Sequence, residues 1–366
     1  MDEKKPQDGI EQLHPPRRRK RKSVGELIVQ DLLLIAVLLL SFALFHHVIP
    51  HMKSQSAETP QPVSIRPSAA PTVQPAESPA PSGETAPPDP DVTPAPTPEP
   101  TPDPMDWRTK FADHFTDEVV ITDHSYTSPN ISIDIQKIVT DDPAPSTVYV
   151  ADIYIAQLEN LQTYWAGGSY RMWAAEDPVP IARNAGAILA VNGDYADSQS
   201  TGFLVRNGEL YLSEQTIYDI CVLYYDGTME TYGADEYTVE DVLARQPYQV
   251  WKFGPKLLDE NGRPCESFNT TGPIADVNPR TGIGYFEPGH YCLVVVDGRQ
   301  NGYSAGMRIA RFAQVFADLG CTAAYNLDGG QSSVMTFRQS IFSHPYLGGR
   351  GAGDIILIRE IEDEEG

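Results

Sequence analysis

Positive charge is scarce in this 366-residue chain, where 27 lysines and arginines face 50 aspartates and glutamates for a net charge of −23. The imbalance is sharper from residue 105 onward, with 17 basic residues against 37 acidic ones. A surface of that sign repels a phosphate backbone, which excludes nucleic acid as its ligand. Cysteine is also sparse. Cys221, Cys265, Cys292 and Cys321 form no CxxC pair. Cys221 and Cys292 lie in apolar, strand-like runs, where buried thiols fit as well as disulfides, so no bridge is assigned. The histidines of this region, His114, His124, His290 and His344, show neither HExxH spacing nor a cysteine partner, which argues against zinc. No GxSxG elbow surrounds Ser332 or Ser333, and no run of alternate carboxylates resembles a calcium loop. Neither a metal nor a cofactor is expected.

Long apolar runs are missing too, with one exception. Residues 1–26 form a basic tail containing Arg17-Arg18-Arg19-Lys20-Arg21-Lys22, and residues 27–49 follow as a mostly apolar stretch. A bilayer core needs about 20 helical residues, and flanking basic residues stay on the cytoplasmic side. The expectation is a single transmembrane signal anchor over 27–49, with the rest of the chain outside the cell. A cleaved signal peptide is the rival reading, disfavoured because no small-x-small cleavage site follows. Residues 50–104 then read as a disordered stalk, since 60–104 hold 16 of the 32 prolines and too few apolar residues for a core. Residues 105–366 are long enough for one large domain.

Within that domain Ile131, Ile133 and Ile135 alternate with polar residues, predicting a half-buried strand, and Val148 and Val150 open a second. A short helix is expected over 181–186, followed by an apolar strand from Ala187 to Val191. Asn207-Gly208 and Asp226-Gly227 each sit between strand-like runs and predict two hairpins. Thr238 and Asp241 are spaced as a helix cap. A longer helix is expected from Ser304 to Gly320 with Phe312, Val315, Phe316 and Leu319 on one face, most simply as core. Apolar strands are expected from Tyr291 to Val296, Thr322 to Tyr325 and Ile355 to Ile358. The fold class is α+β, a mixed β-sheet core with flanking helices and hairpins, preceded by the anchor and the stalk.

Three of these strands end in a carboxylate beside glycine: Gly193-Asp194, Asp297-Gly298 and Asp328-Gly329. Asp-Gly alone is ordinary turn chemistry. Three such ends in one domain, accompanied by Arg280, Arg299 and Arg350 near glycine-rich turns, suggest a site for an anionic ligand, because a guanidinium binds phosphate with two parallel hydrogen bonds. Surface ion pairing with the abundant acids is the bland alternative for the arginines.

Asn192-Gly193-Asp194-Tyr195, Gly202-Phe203, Pro279-Arg280-Thr281-Gly282-Ile283-Gly284, Val296-Asp297-Gly298-Arg299, Ser304 through Met307, and Asn326-Leu327-Asp328-Gly329-Gly330-Gln331-Ser332-Ser333 stand in the order seen in the phosphodiester glycosidase family. The chain resembles that family from about Tyr126 to Arg359. The resemblance implies hydrolysis of a sugar-1-phosphodiester at the anomeric bond, with a carbohydrate-phosphate substrate, N-acetylglucosamine-like, drawn from cell-surface glycopolymers. It implies Asp328 as the first catalytic carboxylate, with Asp297 and Asp194 as partners or sugar ligands. Asn192, Gly193, Arg280, Thr281, Arg299, Asn326, Gly329, Gly330, Ser332, Ser333 and Arg350 would bind substrate. The family usually has a third glycine where Gln331 stands, so this side chain is expected to narrow the pocket or touch sugar. The competing reading is a domain that binds a phosphate-bearing wall polymer without cutting it.

Overall fold

Alternation sets the first sheet. In the computed structural model, which describes Leu33, Ile35, Val37, residues 61–67 and residues 105–361 except 142 and 199, the strand Ile131–Thr140 buries Ile131, Ile133 and Ile135, leaves Ser132 and Asp134 half-exposed, and exposes Ile138. It lies in a seven-stranded sheet of spatial order Ala323–Asn326, Arg280–Glu287, His290–Val296, Ser146–Ile155, Ile131–Thr140, Ser125–Thr127, Val120–Ile121. The strands Ser146–Ile155 and His290–Val296 are buried along almost their whole length because both faces of the sheet are covered.

One face packs on the helix Ile309–Leu319, whose Phe312 and Phe316 meet Val148, Val150, Val294 and Ala324. Burying such aromatics contributes roughly 1.5–3 kcal/mol each. The other face carries Tyr149, Ala151, Ile153 and Val295 into a core shared with two further sheets. The five-stranded sheet has the order Ser340–Ile341, Met335–Phe337, Leu189–Asn192, Asp354–Ile358, Leu161–Trp165. The six-stranded sheet has the order Val63–Ser64, Glu209–Ser213, Phe203–Arg206, Pro247–Trp251, Ile220–Tyr224, Met229–Tyr232. The two expected hairpins are part of it.

The structure departs from expectation in several places. Every strand pair among the described residues is antiparallel, so the sheets are not mixed, as neighbouring strands are joined by hairpins or returns rather than parallel crossovers. The long helix begins at Ile309, not Ser304. Ser304 Oγ donates to Asp297 O, Ser304 N–H bonds to Gln300 O, and Gly306 has φ +95°, which holds the segment out of helical geometry. The short helix is Pro178–Asn184, opened by a proline that supplies the right φ. Thr238 caps the helix Val239–Ala244, its Oγ1 accepting from Asp241 N–H at 3.1 Å.

The proline-rich stretch is not structureless throughout. Val63 and Ser64 pair with Leu210 and Glu209 at the edge of the six-stranded sheet, and Ile65 packs on its apolar cluster. An open strand edge offers unpaired backbone groups to any adjacent segment with the right alternation, and Val63-Ser64-Ile65 has it. The expected basic tail, most of the 27–49 span and the remainder of the stalk lie outside the described residues. Leu33, Ile35 and Val37 are helical, and among the described residues no helix is long and apolar enough to cross a membrane. All four cysteines are free, with Cys292 and Cys321 sulfurs 3.6 Å apart.

Candidate active site

Two sheets deliver the three strand-end carboxylates, and the structure gives each a different environment. Ala323–Asn326 in the seven-stranded sheet leads to Asp328, His290–Val296 leads to Asp297, and Leu189–Asn192 in the five-stranded sheet leads to Asp194.

Asp328 lines a pocket of about 220 Å³ together with Phe253, Ile274, Asn278, Arg280, Arg299 and Gly330. Its backbone is fixed from behind. Asp328 N–H donates to Gly193 O (3.2 Å), and Asn192 Nδ2 donates to Asp328 O (2.8 Å). Asn192 is itself held by Thr281, whose hydroxyl donates to Asn192 Oδ1 at 2.8 Å. The carboxylate is fixed from the sides. Gly329 N–H donates to Oδ1 (2.9 Å), and Arg350 Nη2 donates to Oδ2 (3.2 Å) while Arg350 Nε donates to Ser332 Oγ (2.6 Å). Burial raises the Asp328 pKa, opposed by Ser332 and Arg350. Gly330 takes φ +71°, and a side chain there would press on the Arg299 guanidinium.

The arginines of the pocket are unlike Arg350. Arg280 is 2% exposed and spends Nε on Met307 O (2.9 Å) and Nη2 on Asp276 O. Arg299 donates from Nη2 to Asn278 Oδ1 (2.7 Å). Neither makes an ion pair with a carboxylate among the described residues. Burial, and then the neighbouring Arg299 charge, lower the Arg280 pKa to about 10, so it stays cationic at neutral pH. Two guanidiniums that repel one another and make no ion pair are held in one pocket of an acidic protein.

Asp194 and Asp297 are each 1% exposed and line no part of this pocket. Asp194 pairs with Arg206 at 2.5 Å and accepts from Lys252 N–H at 2.7 Å. Asp297 accepts from the Tyr303 hydroxyl (2.8 Å) and from His344 N–H (3.1 Å), and burial raises its pKa. Asn326 is also structural in placement, donating to Gly254 O at 2.8 Å, while Ser333 Oγ is buried without a hydrogen-bond partner among the described residues. Gln331 turns away from the pocket: its Nε2 donates to Gly349 O at 2.9 Å, tying the loop that carries Arg350.

Sequence reasoning missed the acidic group behind Asp328. Arg206, fully buried, bridges Asp194 and Asp354, the latter at 2.9 Å. Asp354 approaches so closely that a Cβ on Gly193 would lie 2.1 Å from its Oδ1, and Gly353 is as tight against Asp197. Burial, then the Asp354 charge, push the Asp197 pKa up to about 7. Asp354 had a signal that was available, a carboxylate after glycine at a strand start. Arg206 had none, since a charged residue closing a hairpin strand ordinarily faces solvent. Among the described residues no group of three or more His, Cys, Asp or Glu side chains is placed to hold a metal ion.

Residues 185–359 match the family model described as phosphodiester glycosidase, beginning well after Tyr126, where the sequence resemblance had been placed. The chain is 27% identical over 164 residues to the SPbeta prophage-derived uncharacterized protein YomE of Bacillus subtilis (strain 168), covering 43% of this chain and 25% of that protein. The chain therefore spans about a quarter of the length of that curated relative. Among solved structures it is similar in fold to the catalytic domain of zebrafish N-acetylglucosamine-1-phosphodiester alpha-N-acetylglucosaminidase, auto-inhibited by its pro-peptide. The TM-score is 0.51 and the identity 21%, over 63% of this chain and 83% of that one. Residues 185–359, which contain Asp328, Arg350 and the two arginines without an ion pair, are the part of this chain that matches the phosphodiester glycosidase family.

Proposed function

We propose that the pocket hydrolyses a sugar-1-phosphodiester, breaking the bond between the anomeric carbon and the phosphate oxygen and releasing a phosphomonoester. The observation that supports this reading is the placement of Arg280 and Arg299, without a carboxylate partner, in the pocket that Asp328 lines. An ordinary glycosidase needs a second carboxyl group to protonate its leaving oxygen. A phosphate leaves as a stable anion, so guanidiniums that neutralise it take the place of that acid. One pocket carboxylate with two unpaired arginines fits this reaction better than a pair of acids would.

In this reading Asp328, oriented by Gly329, Ser332 and Arg350, stabilises the positive charge that develops at the anomeric carbon or activates the incoming water. Asn192, Gly193 and Thr281 position its backbone. Asp194 and Asp297 support the loops from behind instead of touching substrate. The glycosyl group is N-acetylglucosamine-like, and the substrate is a cell-surface glycopolymer or glycoconjugate, with the chain anchored through 27–49 and its C-terminal bulk outside the cell. The basic run ahead of that span supports the orientation.

Incubating the full chain with the methyl phosphodiester of N-acetylglucosamine 1-phosphate and measuring released sugar tests the reaction. Turnover is expected, with Asp328→Asn reducing it by at least about 10³-fold at unchanged melting temperature, as loss of a catalytic carboxylate does. Binding of the diester without turnover would instead favour a phosphate-polymer binding domain.

A further inference from the structure

Beside the Asp328 pocket lies a larger one of about 580 Å³, and the two share Phe253 and Ile274 as a common wall. The small pocket falls below the ~300–1,000 Å³ typical of sites that enclose a drug-sized ligand, whereas the large one falls within it. No part of the proposed reaction uses the larger space.

Its lining has the chemistry of a saccharide site. Tyr195, Tyr218 and Ile217 are 37%, 44% and 78% exposed, a concentration of apolar surface that folding leaves in water. Hydroxyl and amide groups of Ser198, Thr201, Thr216 and Gln215 surround them. Tyrosine rings supply the flat apolar faces on which the C–H side of a pyranose rests, and the polar groups supply partners for its hydroxyls. Lys252 adds a buried cation, its ammonium donating to Thr201 O.

The position of Tyr195 sets the direction in which a ligand would run. Its backbone is held at φ +64°, a conformation that bulky residues rarely adopt. Its ring lies 5.6 Å from the Arg350 guanidinium that pairs with Asp328 Oδ2. On the other side, Gly330 brings the Asp328 loop against Arg299. Asp328 is thus flanked by the phosphate-type arginines on one hand and by Tyr195, leading into the large pocket, on the other.

We propose that the larger pocket is a glycosyl subsite that holds a saccharide of more than one ring, so that the preferred substrate is an oligosaccharide joined through its reducing-end anomeric carbon to phosphate. This rests on the phosphodiester reading of the Asp328 pocket. The volume is more than a single pyranose fills, and the exposed Tyr218 and Ile217 have no other assignment in the fold.

The test compares the methyl phosphodiesters of N-acetylglucosamine 1-phosphate and of its β-1,4-linked trisaccharide 1-phosphate on the full chain, wild type and Tyr218→Ala. We expect the wild type to favour the trisaccharide by about tenfold in kcat/KM, the worth of one aromatic contact. Tyr218→Ala should remove that preference and leave the monosaccharide rate within about twofold. Equal rates on both substrates, or an equal loss on both in the variant, would overturn the subsite. If neither diester is cleaved, the reaction is refuted and the subsite is read separately by titrating the free trisaccharide. Binding by wild type that Tyr218→Ala weakens supports it, and absence of binding by wild type sinks it.

Discussion

At the level of single residues the decisive contrast is between arginines that have a carboxylate and arginines that do not. Arg206 and Arg350 are neutralised by aspartates, so each orders its neighbours; Arg280 and Arg299 are not, so each has attraction to offer a ligand. Arg299 is exposed and makes one side-chain hydrogen bond, so Arg299→Ala should raise KM for the phosphodiester about tenfold or more with a melting temperature within about 2 °C. Arg280→Ala should weaken binding and also lower stability by about 2–4 kcal/mol, since it empties a buried site and strands the Met307 and Asp276 carbonyls. Steady-state kinetics beside thermal denaturation separates the two. Asp197 behaves differently again. Its folded-state pKa of about 7 lies above the ordinary carboxylate value of 3.8, so the folded protein holds a proton that the unfolded chain has lost between those limits. Stability therefore falls as pH rises from about 4 to about 7 and levels off above. Asp197→Asn should match the wild type near pH 4 and exceed it at pH 8 by on the order of 2–3 kcal/mol, read from denaturant unfolding at the two pH values. A variant less stable at both would show that the carboxylate has a structural partner.

At the level of elements, strand ends were legible and their surroundings were not. Alternation in 131–135, the Asn207-Gly208 and Asp226-Gly227 turns and the Thr238 cap follow from local chemistry, and the structure contains each. Thr238→Ala should cost about 1 kcal/mol for the lost cap, and Phe316→Ala about 3–5 kcal/mol for a cavity between helix and sheet. Urea denaturation of both variants measures the difference. The start of the long helix was misplaced because nothing local in 304–308 forbids a helix. Its irregular path comes from a bond to Asp297 O, on a strand end seven residues earlier, and from Gly306. Likewise, Asp194, Asp297 and Asp328 share one local pattern. Only Asp328 reaches the pocket, because the other two are covered by Arg206 and Lys252 and by Tyr303 and His344, contributed by other elements.

For the whole molecule, three antiparallel sheets share one core, and a short piece of the proline-rich stretch closes the edge of one of them. A chain beginning at residue 105 should lose the pairing of Val63 and Ser64 and the burial of Ile65. The expected cost is about 1–2 kcal/mol, a fall of about 2–6 °C in melting temperature relative to a chain beginning at residue 59. Equal melting temperatures would show that the segment contributes nothing to the domain. The net charge of −23 bears on ligands at this scale. A protein so acidic attracts an anion where cations are locally uncompensated, and in the Asp328 pocket Arg280 and Arg299 are cations without an ion pair.

The amino-acid sequence by itself determined the strands and turns of the domain, the family that residues 185–359 match, and Asp328 as the residue to test first. Those follow from periodicity, turn chemistry and ordered motifs, all carried by residues near one another in the chain. The tertiary structure alone decided which carboxylate lines the pocket, which arginines lack an ion pair, where Gln331 points and what lies beyond Tyr195. These depend on charges and walls that different elements bring together, from Gln331 and Gly349 to Tyr195 and Arg350, and such pairing leaves no local pattern to read.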